Sequence, residues 1–340
     1  MVQSVPRNES SSVPQSAPLM RSPLSLEPRT VAAIDIGTNS IHMVVVQINP
    51  ELPSFEIIDT EKSTVRLGER HPKTGELTEA AMQRSLDALH RCAEIAKARK
   101  VEQIIAAATS AVREAPNGST FVKRVKDSLG LDIDIIAGVE EARRIYLGVL
   151  SGIEFEGEPH VIVDIGGGST ELILGDGKKA RSLSSTKVGA VRLTELFVKH
   201  DPVLKREFAQ MRAYVKGMLE RPIEELLSKL GPEETPQLIG TSGTIESLLK
   251  VSTCEAMGFC PASLHGYELT LDQLRELVSR FSTLTCEEHC KVSGMNERRA
   301  EIILAGAVVL LEVMEQLRLG SLKTCERSLR EGMIVDWMLK

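Results

Sequence analysis

The sequence predicts an α/β protein made of two duplicated lobes. Three observations carry that prediction. The chain has 340 residues, more than one hydrophobic core usually organises, so two domains are expected. Short apolar runs of strand length alternate with longer stretches at helical spacing, the texture of α/β rather than α+β proteins. The chain also repeats itself: Ala32-Ala-Ile-Asp35-Ile-Gly-Thr-Asn-Ser40 aligns without a gap on Val161-Ile-Val-Asp164-Ile-Gly-Gly-Gly-Ser169. Each copy is an apolar strand, an Asp, a glycine turn and a Ser, followed by a second apolar strand.

The elements follow in order. Residues 1–29 hold five of the fifteen prolines and many serines; with no periodic apolar pattern to offset ordering entropy, they read as a disordered tail. Val31–Ile36 and Ile41–Ile48 read as buried strands, Phe55–Leu67 as a further strand pair and Leu77–Ala98 as a long amphipathic helix. A strand over Gln103–Ala108, a helix over Phe121–Leu129, a strand over Ile133–Ile136 and a helix from Gly138 to Val149 complete the first lobe, residues 30–150. The second lobe, residues 151–328, repeats the strand-turn-strand unit. It continues with helices over Ala190–Lys199 and Leu204–Leu230, a strand over Gln237–Gly240, a helix opening at Ser242, and helices over Leu271–Phe281 and Glu297–Leu317. Residues 329–340 form a last helix, expected to pack back on the first lobe.

Composition excludes several functions. Aromatics are 3% of the chain and the formal charge is −6, which argues against stacking platforms or a basic surface for nucleic acid. A small anion remains compatible, because amide dipoles and a few Arg or Lys hold one locally. The longest apolar run, Ile302–Leu311, lies between Glu301 and Glu312 and is too short to span a bilayer. No secretory signal opens the chain, so cytoplasm is the default expectation. Six irregularly placed cysteines suit a reducing compartment better than a disulfide framework. Cys286-Glu-Glu-His289-Cys290 offers metal-binding residue types, but no second pair has zinc-site spacing, so the stretch reads as a loop leading into a helix.

The chemistry is expected at the duplicated turns. Glycines let the backbone approach a ligand and aim successive N–H groups at one point, so Gly37, Thr38, Asn39 and Ser40, and Gly166, Gly167, Gly168, Ser169 and Thr170, are candidate phosphate binders. Ordinary tight hairpins would use the same glycines; the pairing of two loops, each behind an Asp, favours the phosphate reading. Asp35 and Asp164 end the preceding strands, where a carboxylate can hold a divalent cation, and Glu171 flanks the second turn as a partner for Asp164. Strand alternation forbids Thr170 and Glu171 from both facing the ligand, and Glu171 also reads as an exposed strand residue. The loops are neither Walker A nor dinucleotide-binding motifs, having no Gly-Lys-Ser/Thr and no spaced third glycine. Glu140 and Glu141 open a helix and, from the residues alone, read as dipole-complementing surface charge paired with Arg143 and Arg144. Arg113 is a candidate phosphate clamp or a solvated charge, and Gly240-Thr-Ser-Gly243-Thr244 a weak further turn for phosphate or a nucleotide sugar edge.

Five stretches, taken in order, resemble the exopolyphosphatase and guanosine pentaphosphate phosphohydrolase family. They are Ala33-Ile-Asp-Ile-Gly-Thr-Asn-Ser40, Ala108-Thr-Ser-Ala-Val-Arg-Glu-Ala115, Gly138-Val-Glu-Glu-Ala-Arg143, Val163-Asp-Ile-Gly-Gly-Gly-Ser-Thr-Glu171 and Ser328-Leu-Arg-Glu-Gly-Met333. Val65-Arg-Leu-Gly68, His265-Gly266 and Arg299-Ala-Glu-Ile-Ile-Leu-Ala-Gly306 add to them, and the likeness runs from Val31 to Lys340. The resemblance implies an actin/Hsp70/sugar-kinase-like fold, two RNase H-like lobes with the substrate in the cleft between them. It implies hydrolysis of terminal phosphoanhydride bonds of inorganic polyphosphate or pppGpp by water attack, with orthophosphate released. Glu141 is then the catalytic base, with Glu171 as acidic partner, Asp164, Glu171 and Asp35 as ligands of Mg2+ or Mn2+, and Arg113 with the loops on the phosphates. The chain looks like the short form, without a C-terminal HD-type module, and a homodimer is compatible with it. The competing classes are an ATP-dependent kinase or ATPase of the same superfold and a non-catalytic guanosine-polyphosphate sensor.

Overall fold

A computed structural model of the chain describes residues 28–49 and 54–340; the expected tail lies outside the described residues, apart from its last two. The first lobe runs β1 (Arg29–Ile36), β2 (Ser40–Asn49), β3 (Ser54–Thr64), α1 (Glu79–Ala98), β4 (Gln103–Ala108), α2 (Ser110–Arg113), α3 (Gly118–Leu129), β5 (Asp134–Ile135) and α4 (Gly138–Leu150). The second runs β6 (His160–Ile165), β7 (Thr170–Gly175), β8 (Ala180–Thr186), α5 (Ala190–Phe197), α6 (Lys205–Leu227), β9 (Gln237–Thr241) and α7 (Gly243–Met257). It ends with β10 (Glu268–Thr270), α8 (Leu271–Phe281), α9 (Cys286–Cys290), α10 (Ile303–Leu317), β11 (Ser321–Thr324) and α11 (Leu329–Met338).

The two sheets share one topology. The first has the order β3-β2-β1-β4-β5, the second β8-β7-β6-β9-β11 with β10 added at the edge. In both, an antiparallel hairpin joins a parallel partner at the central strand: β1 pairs β2 antiparallel and β4 parallel, and β6 pairs β7 and β9 in the same way. A strand enclosed on both faces must be apolar throughout, which is why Val31–Ile34 and Val161–Val163 are fully buried. These are the duplicated RNase H-like lobes of an actin-like α/β fold.

Helices α4 and α11 lie side by side between the sheets. One continuous core joins Val31, Ala33 and Val44 of the first sheet, Ile145 and Val149 of α4, Met333 and Ile334 of α11, and Ile162 and Ile173 of the second sheet. The crossing is so close that a Cβ at Gly148 would stand 1.9 Å from the Ser328 carbonyl oxygen, and one at Gly332 1.7 Å from that of Arg144. On the far side of the second sheet α10 is buried almost all round, among α5, α6, α7 and α8. Its apolar run belongs to this helical layer, and no described helix is long and apolar enough to cross a membrane.

Four local expectations change. Phe55–Leu67 is one strand followed by a turn, not a strand pair, because β3 must run the full length of β2 to form the sheet edge. The helix over Glu297–Leu317 is broken: a 3-10 turn spans Glu297–Arg299 and α10 starts at Ile303. Strands β8, β10 and β11, with no strong apolar alternation, were not expected. A disulfide joins Cys254 to Cys260, tying the end of α7 to the loop after it, whereas the cysteine pattern predicted none.

Candidate active site

The paired turns face one another across the cleft and are built alike. In the first, Asp35 is cross-strand partner to His42, and the Gly37 N–H donates to the Ser40 carbonyl at 3.1 Å. In the second, Asp164 is partner to Glu171, and the Gly166 N–H donates to the Ser169 carbonyl at 2.9 Å. A Cβ at either Gly37 or Gly166 would stand 3.1 Å from that carbonyl oxygen, so both turns depend on bare backbone at the closing residue. Gly37, Thr38, Asn39 and Ser40 line the cleft, with Gly166, Gly167 and Ser169 opposite, around a volume of about 290 Å3. Two predicted binders turn away. Gly168 faces a separate cavity, and the Thr170 hydroxyl donates to the Val188 carbonyl at 2.5 Å, as alternation from Glu171 requires.

Burial decides the behaviour of the acids. Glu141, in the first turn of α4, accepts from Arg113 Nη1 at 3.0 Å, and the same nitrogen donates to the Ile136 carbonyl at 2.7 Å. Arg113 thus holds Glu141 in place and does not line the cleft. Burial pushes the Glu141 carboxyl up to about 8, against the pull of Arg113. Its neighbour Glu140 points elsewhere, accepting from Arg143 and Arg144, and Arg143 continues to Asp336 on α11. The surface-charge reading therefore describes Glu140 and not Glu141. Asp164 accepts from Ser328 Oγ at 2.6 Å, yet burial still raises it to about 6. Asp35 is raised to about 7 by burial, with Arg330 opposing, and its Oδ1 is buried without a hydrogen-bond partner.

Glu171 departs from expectation. It is 1% exposed, accepts from Ser185 Oγ at 2.6 Å and does not line the cleft. Burial, then the charges of Glu141 and Asp164, hold its carboxyl well above the usual range. Among the described residues no three His, Cys, Asp or Glu side chains gather closely enough to hold a metal, so Asp35, Asp164 and Glu171 are not assembled as a cage. The donor set that does face the cleft, Asp35 with its free oxygen and Asp164, suits a hard cation that keeps most of its waters. The candidate cluster at Cys286 and Cys290 is also set aside: both ring nitrogens of His289 are bonded to backbone carbonyls, those of Ala300 and Phe281.

The cations of the site escaped the sequence reading. Lys62 of β3, Arg299 of the 3-10 turn and Arg330 of α11 all line the cleft. Arg299 is 9% exposed, and neither its side chain nor that of Lys62 has a hydrogen bond or ion pair among the described residues. Arg330 has only a 3.7 Å contact with the adjacent Glu331. Burial lowers the pKa of both Lys62 and Arg299. Gly243 makes room for Arg299, since a Cβ there would meet its guanidinium at 2.1 Å. The Gly240–Thr244 turn thus seats an arginine. The signal available in the sequence was membership of Arg299 and Arg330 in the family-like stretches; Lys62, in a polar strand, had none.

Paired glycine turns, buried acids and cationic side chains meeting in one cleft between two sheets of the same topology define an actin-like α/β protein with its candidate site in that cleft. The chain belongs to the Ppx/GppA phosphatase family, whose model matches residues 44–340. It is 33% identical over 309 residues to the guanosine-5'-triphosphate,3'-diphosphate pyrophosphatase of Photobacterium profundum, covering 91% of this chain and 59% of that protein. It is 31% identical over 317 residues to exopolyphosphatase 2 of Mycobacterium tuberculosis, covering 90% of this chain and 98% of that one. The chain thus spans about six-tenths of the first relative's length and nearly all of the second's. Among solved structures it resembles the Aquifex aeolicus family member, with a TM-score of 0.73 at 31% identity over 92% of this chain and 98% of that one. An exopolyphosphatase from Cytophaga hutchinsonii has a TM-score of 0.82 at 29% identity, over 91% and 98%.

Proposed function

We propose that the chain hydrolyses the terminal phosphoanhydride bond of inorganic polyphosphate or pppGpp, releasing orthophosphate. The observation that carries this reading is the set of cleft cations, Lys62, Arg299 and Arg330, whose one ion pair among the described residues is the 3.7 Å contact of Arg330 with Glu331, beside two glycine turns. Buried guanidinium groups are rarely left unpaired, and a polyphosphate end supplies the missing charge and acceptors.

The residues divide the work. The turns Gly37–Ser40 and Gly166–Ser169 grip the terminal phosphates from both sides, and Arg299 and Arg330 face the bridging and equatorial oxygens. Glu141 takes the proton of the attacking water; a buried carboxyl with a pKa near neutrality is matched to that task. Water oxygen bonds to the terminal phosphorus, the P–O bond to the next phosphate breaks, and the shortened anion leaves with the bonding pair. Arg113, anchored on Ile136, keeps Glu141 in place. Ser328 keeps Asp164 aimed into the cleft. A divalent cation, Mg2+ or Mn2+, held by Asp35 and Asp164 would neutralise phosphoryl charge. Glu171 acts from behind the cleft, as a buried acid electrostatically linked to Glu141.

Phosphate release from polyphosphate, pppGpp and ATP, measured side by side, tests this reading. Turnover of either of the first two, with ATP at least tenfold poorer, is the expected result; preference for ATP overturns it. With about 290 Å3 to fill, affinity for polyphosphate should rise over the first several phosphates and then level off.

A further inference from the structure

Glu141 is supplied by the first lobe, yet the helix that carries it also lies against the second sheet. Helix α4 begins at Gly138 and packs along β7 and β8. Its N-cap residue is Ala137, which has no side-chain oxygen to accept from the first-turn N–H groups. The end of the helix that bears Glu141 is therefore left without a side-chain cap, and neighbouring elements must hold it. On the first-lobe side Arg113 does so, through the Ile136 carbonyl and the Glu141 carboxylate.

The second-lobe hold is Ser185 of β8. A Cβ at Gly138 would stand 2.5 Å from Ser185 Cβ and 2.6 Å from its Oγ, with Arg113 Nη2 at 3.8 Å. Gly138 has no positive φ to explain its identity, and glycine is among the poorest helix formers. The close approach of β8 is what the missing side chain serves. Ser185 reaches the other acid as well. It is the cross-strand partner of Glu171, and its Oγ donates to Glu171 Oε1 at 2.6 Å. Ser169, in the second glycine turn, is a further hydrogen-bond partner of the same carboxyl. One small side chain thus links the start of the Glu141 helix, through Glu171, to the second turn. A bulkier pair at Gly138 and Ser185 would push α4 away, and loss of the hydroxyl would release Glu171.

Resting on the hydrolase reading above, we propose that Ser185 is a positioning residue for the reaction: it seats α4 at Gly138 and fixes Glu171, and so sets where Glu141 stands relative to the second phosphate turn. That turn joins β6 to β7 in the sheet to which β8 also belongs. Ser185 therefore registers the base against the grip of the second lobe, as Arg113 registers it against the first. An error of about 1 Å in such a registration costs on the order of 10²-fold in rate.

Steady-state kinetics of the full chain on polyphosphate and pppGpp test this, with amide hydrogen exchange alongside. Gly138→Ala should lower kcat about 10- to 100-fold and leave KM within about threefold. Paired with Ser185→Gly, which removes the atoms the new methyl would meet, it should cost no more than about threefold beyond Ser185→Gly alone. Ser185→Ala keeps the Cβ and loses only the hydroxyl, so kcat should fall about three- to tenfold. Ser184→Ala controls for simple loosening of β8. The Ser184 Oγ donates to the Leu172 carbonyl, and its loss should lower the melting temperature with kcat within about twofold. The exchange readout is the Glu141 amide, whose N–H donates to the Ala137 carbonyl at 2.8 Å. Ser185→Gly should speed its exchange about tenfold, and Ser184→Ala should not. A wild-type kcat in Gly138→Ala overturns the proposal, as does a loss that persists at full size in the Ser185→Gly background. Because exchange needs no turnover, the two readings fail separately. Inactivity on both substrates would retire the hydrolysis and leave exchange to decide the seat, whereas hydrolysis with a Glu141 amide indifferent to Ser185→Gly would retire the seat alone.

Discussion

The two hairpins that grip the cleft share a frame and differ in charge. Asp35 and Asp164 occupy the same place before the turn, and the closing hydrogen bond and the space at the closing glycine match closely. Seven residues on, the copies part. The first hairpin carries His42, accepting from or donating to Ser40 Oγ at 2.9 Å and held well below its ordinary pKa by burial and by Arg330. The second carries Glu171, an acid whose pKa is held well above its ordinary range by burial and by the charges of Glu141 and Asp164. The outer supports differ too. The first turn's Thr38 and Asn39 carbonyls accept from Gly68, Val65 and Arg66, whereas Gly166 and Gly167 accept from the N-terminus of α5. Under the proposed function one phosphate grip is supplied twice, and the copies diverge at the position whose second-lobe residue, Glu171, feels the charge of Glu141 on α4 of the first lobe.

The largest effect expected from that asymmetry is at Glu141. Glu141→Gln should lower turnover by about 10²- to 10⁴-fold, the usual span for a lost general base, with substrate binding largely kept. Single-turnover kinetics and a separate binding titration distinguish the two. Glu140→Gln, which touches only Arg143 and Arg144, should stay within a small factor of wild type. Equal losses at both positions would show that α4 presents its first turn differently.

The next effect concerns the element both lobes share. Gly332→Ala would drive a methyl toward the Arg144 carbonyl, 1.7 Å away, and helices α4 and α11 must move apart. Overpacking of this kind costs about 1–3 kcal/mol. Because Glu141 and Arg330 ride on those two helices, turnover should fall with stability. Denaturant midpoints and initial rates measured together check this; a variant with lost stability and intact rate would show that the crossing does not position the site.

Much of this was legible in the sequence, and what was not has a physical cause. The turns, their Asp residues and the lobe duplication are local features: strand length, glycine and spacing carry them. Arg299 and Lys62 are not local. One comes from a 3-10 turn of the second lobe and the other from the edge strand of the first, and only the tertiary fold brings both to the cleft. The same limit applies to Arg113, whose partner Glu141 lies 28 residues on. Thr170 and Glu171 illustrate the reverse: alternation foretold that they would face opposite ways, but not that neither would reach the cleft.

A smaller contrast tests the diverged position directly. Glu171→Gln keeps the Ser185 hydrogen bond but removes an acid beside Glu141, so turnover should fall about tenfold, well short of the Glu141→Gln loss. His42→Gln, at the matching place in the first hairpin, should stay within about threefold. If the His42 variant loses more, the first hairpin's residue and not Glu171 supports the chemistry, and the asymmetry fails.

The smallest effect is in stability against pH, and its sign is unusual. Asp35, Asp164 and Glu141 are raised to about 7, about 6 and about 8 by burial. A raised folded-state pKa means that the native protein holds its proton more tightly than the unfolded chain does. Stability from these groups is therefore complete below the unfolded values near 4 and is lost as pH rises through about 6 to 8. Acids outside the cleft such as Asp176, lowered to about 2 by backbone N–H groups and Arg181, work in the opposite direction, but only in strong acid. Between pH 5 and 8 the free protein should thus melt at progressively lower temperature. The lobes should differ within that window. Asp35→Asn should remove the portion that extends to about pH 7, whereas Asp164→Asn should remove only the portion that ends near pH 6. Added polyphosphate should raise the melting temperature by mass action, most at the acid end of the window, because ionised carboxylates weaken its binding as pH rises. Melting temperatures recorded at half-unit steps, with and without the anion, decide the matter. A flat or rising profile in the free wild type would show that the acids are already ionised in the native cleft, and that the charge difference between the two hairpins does not arise from burial.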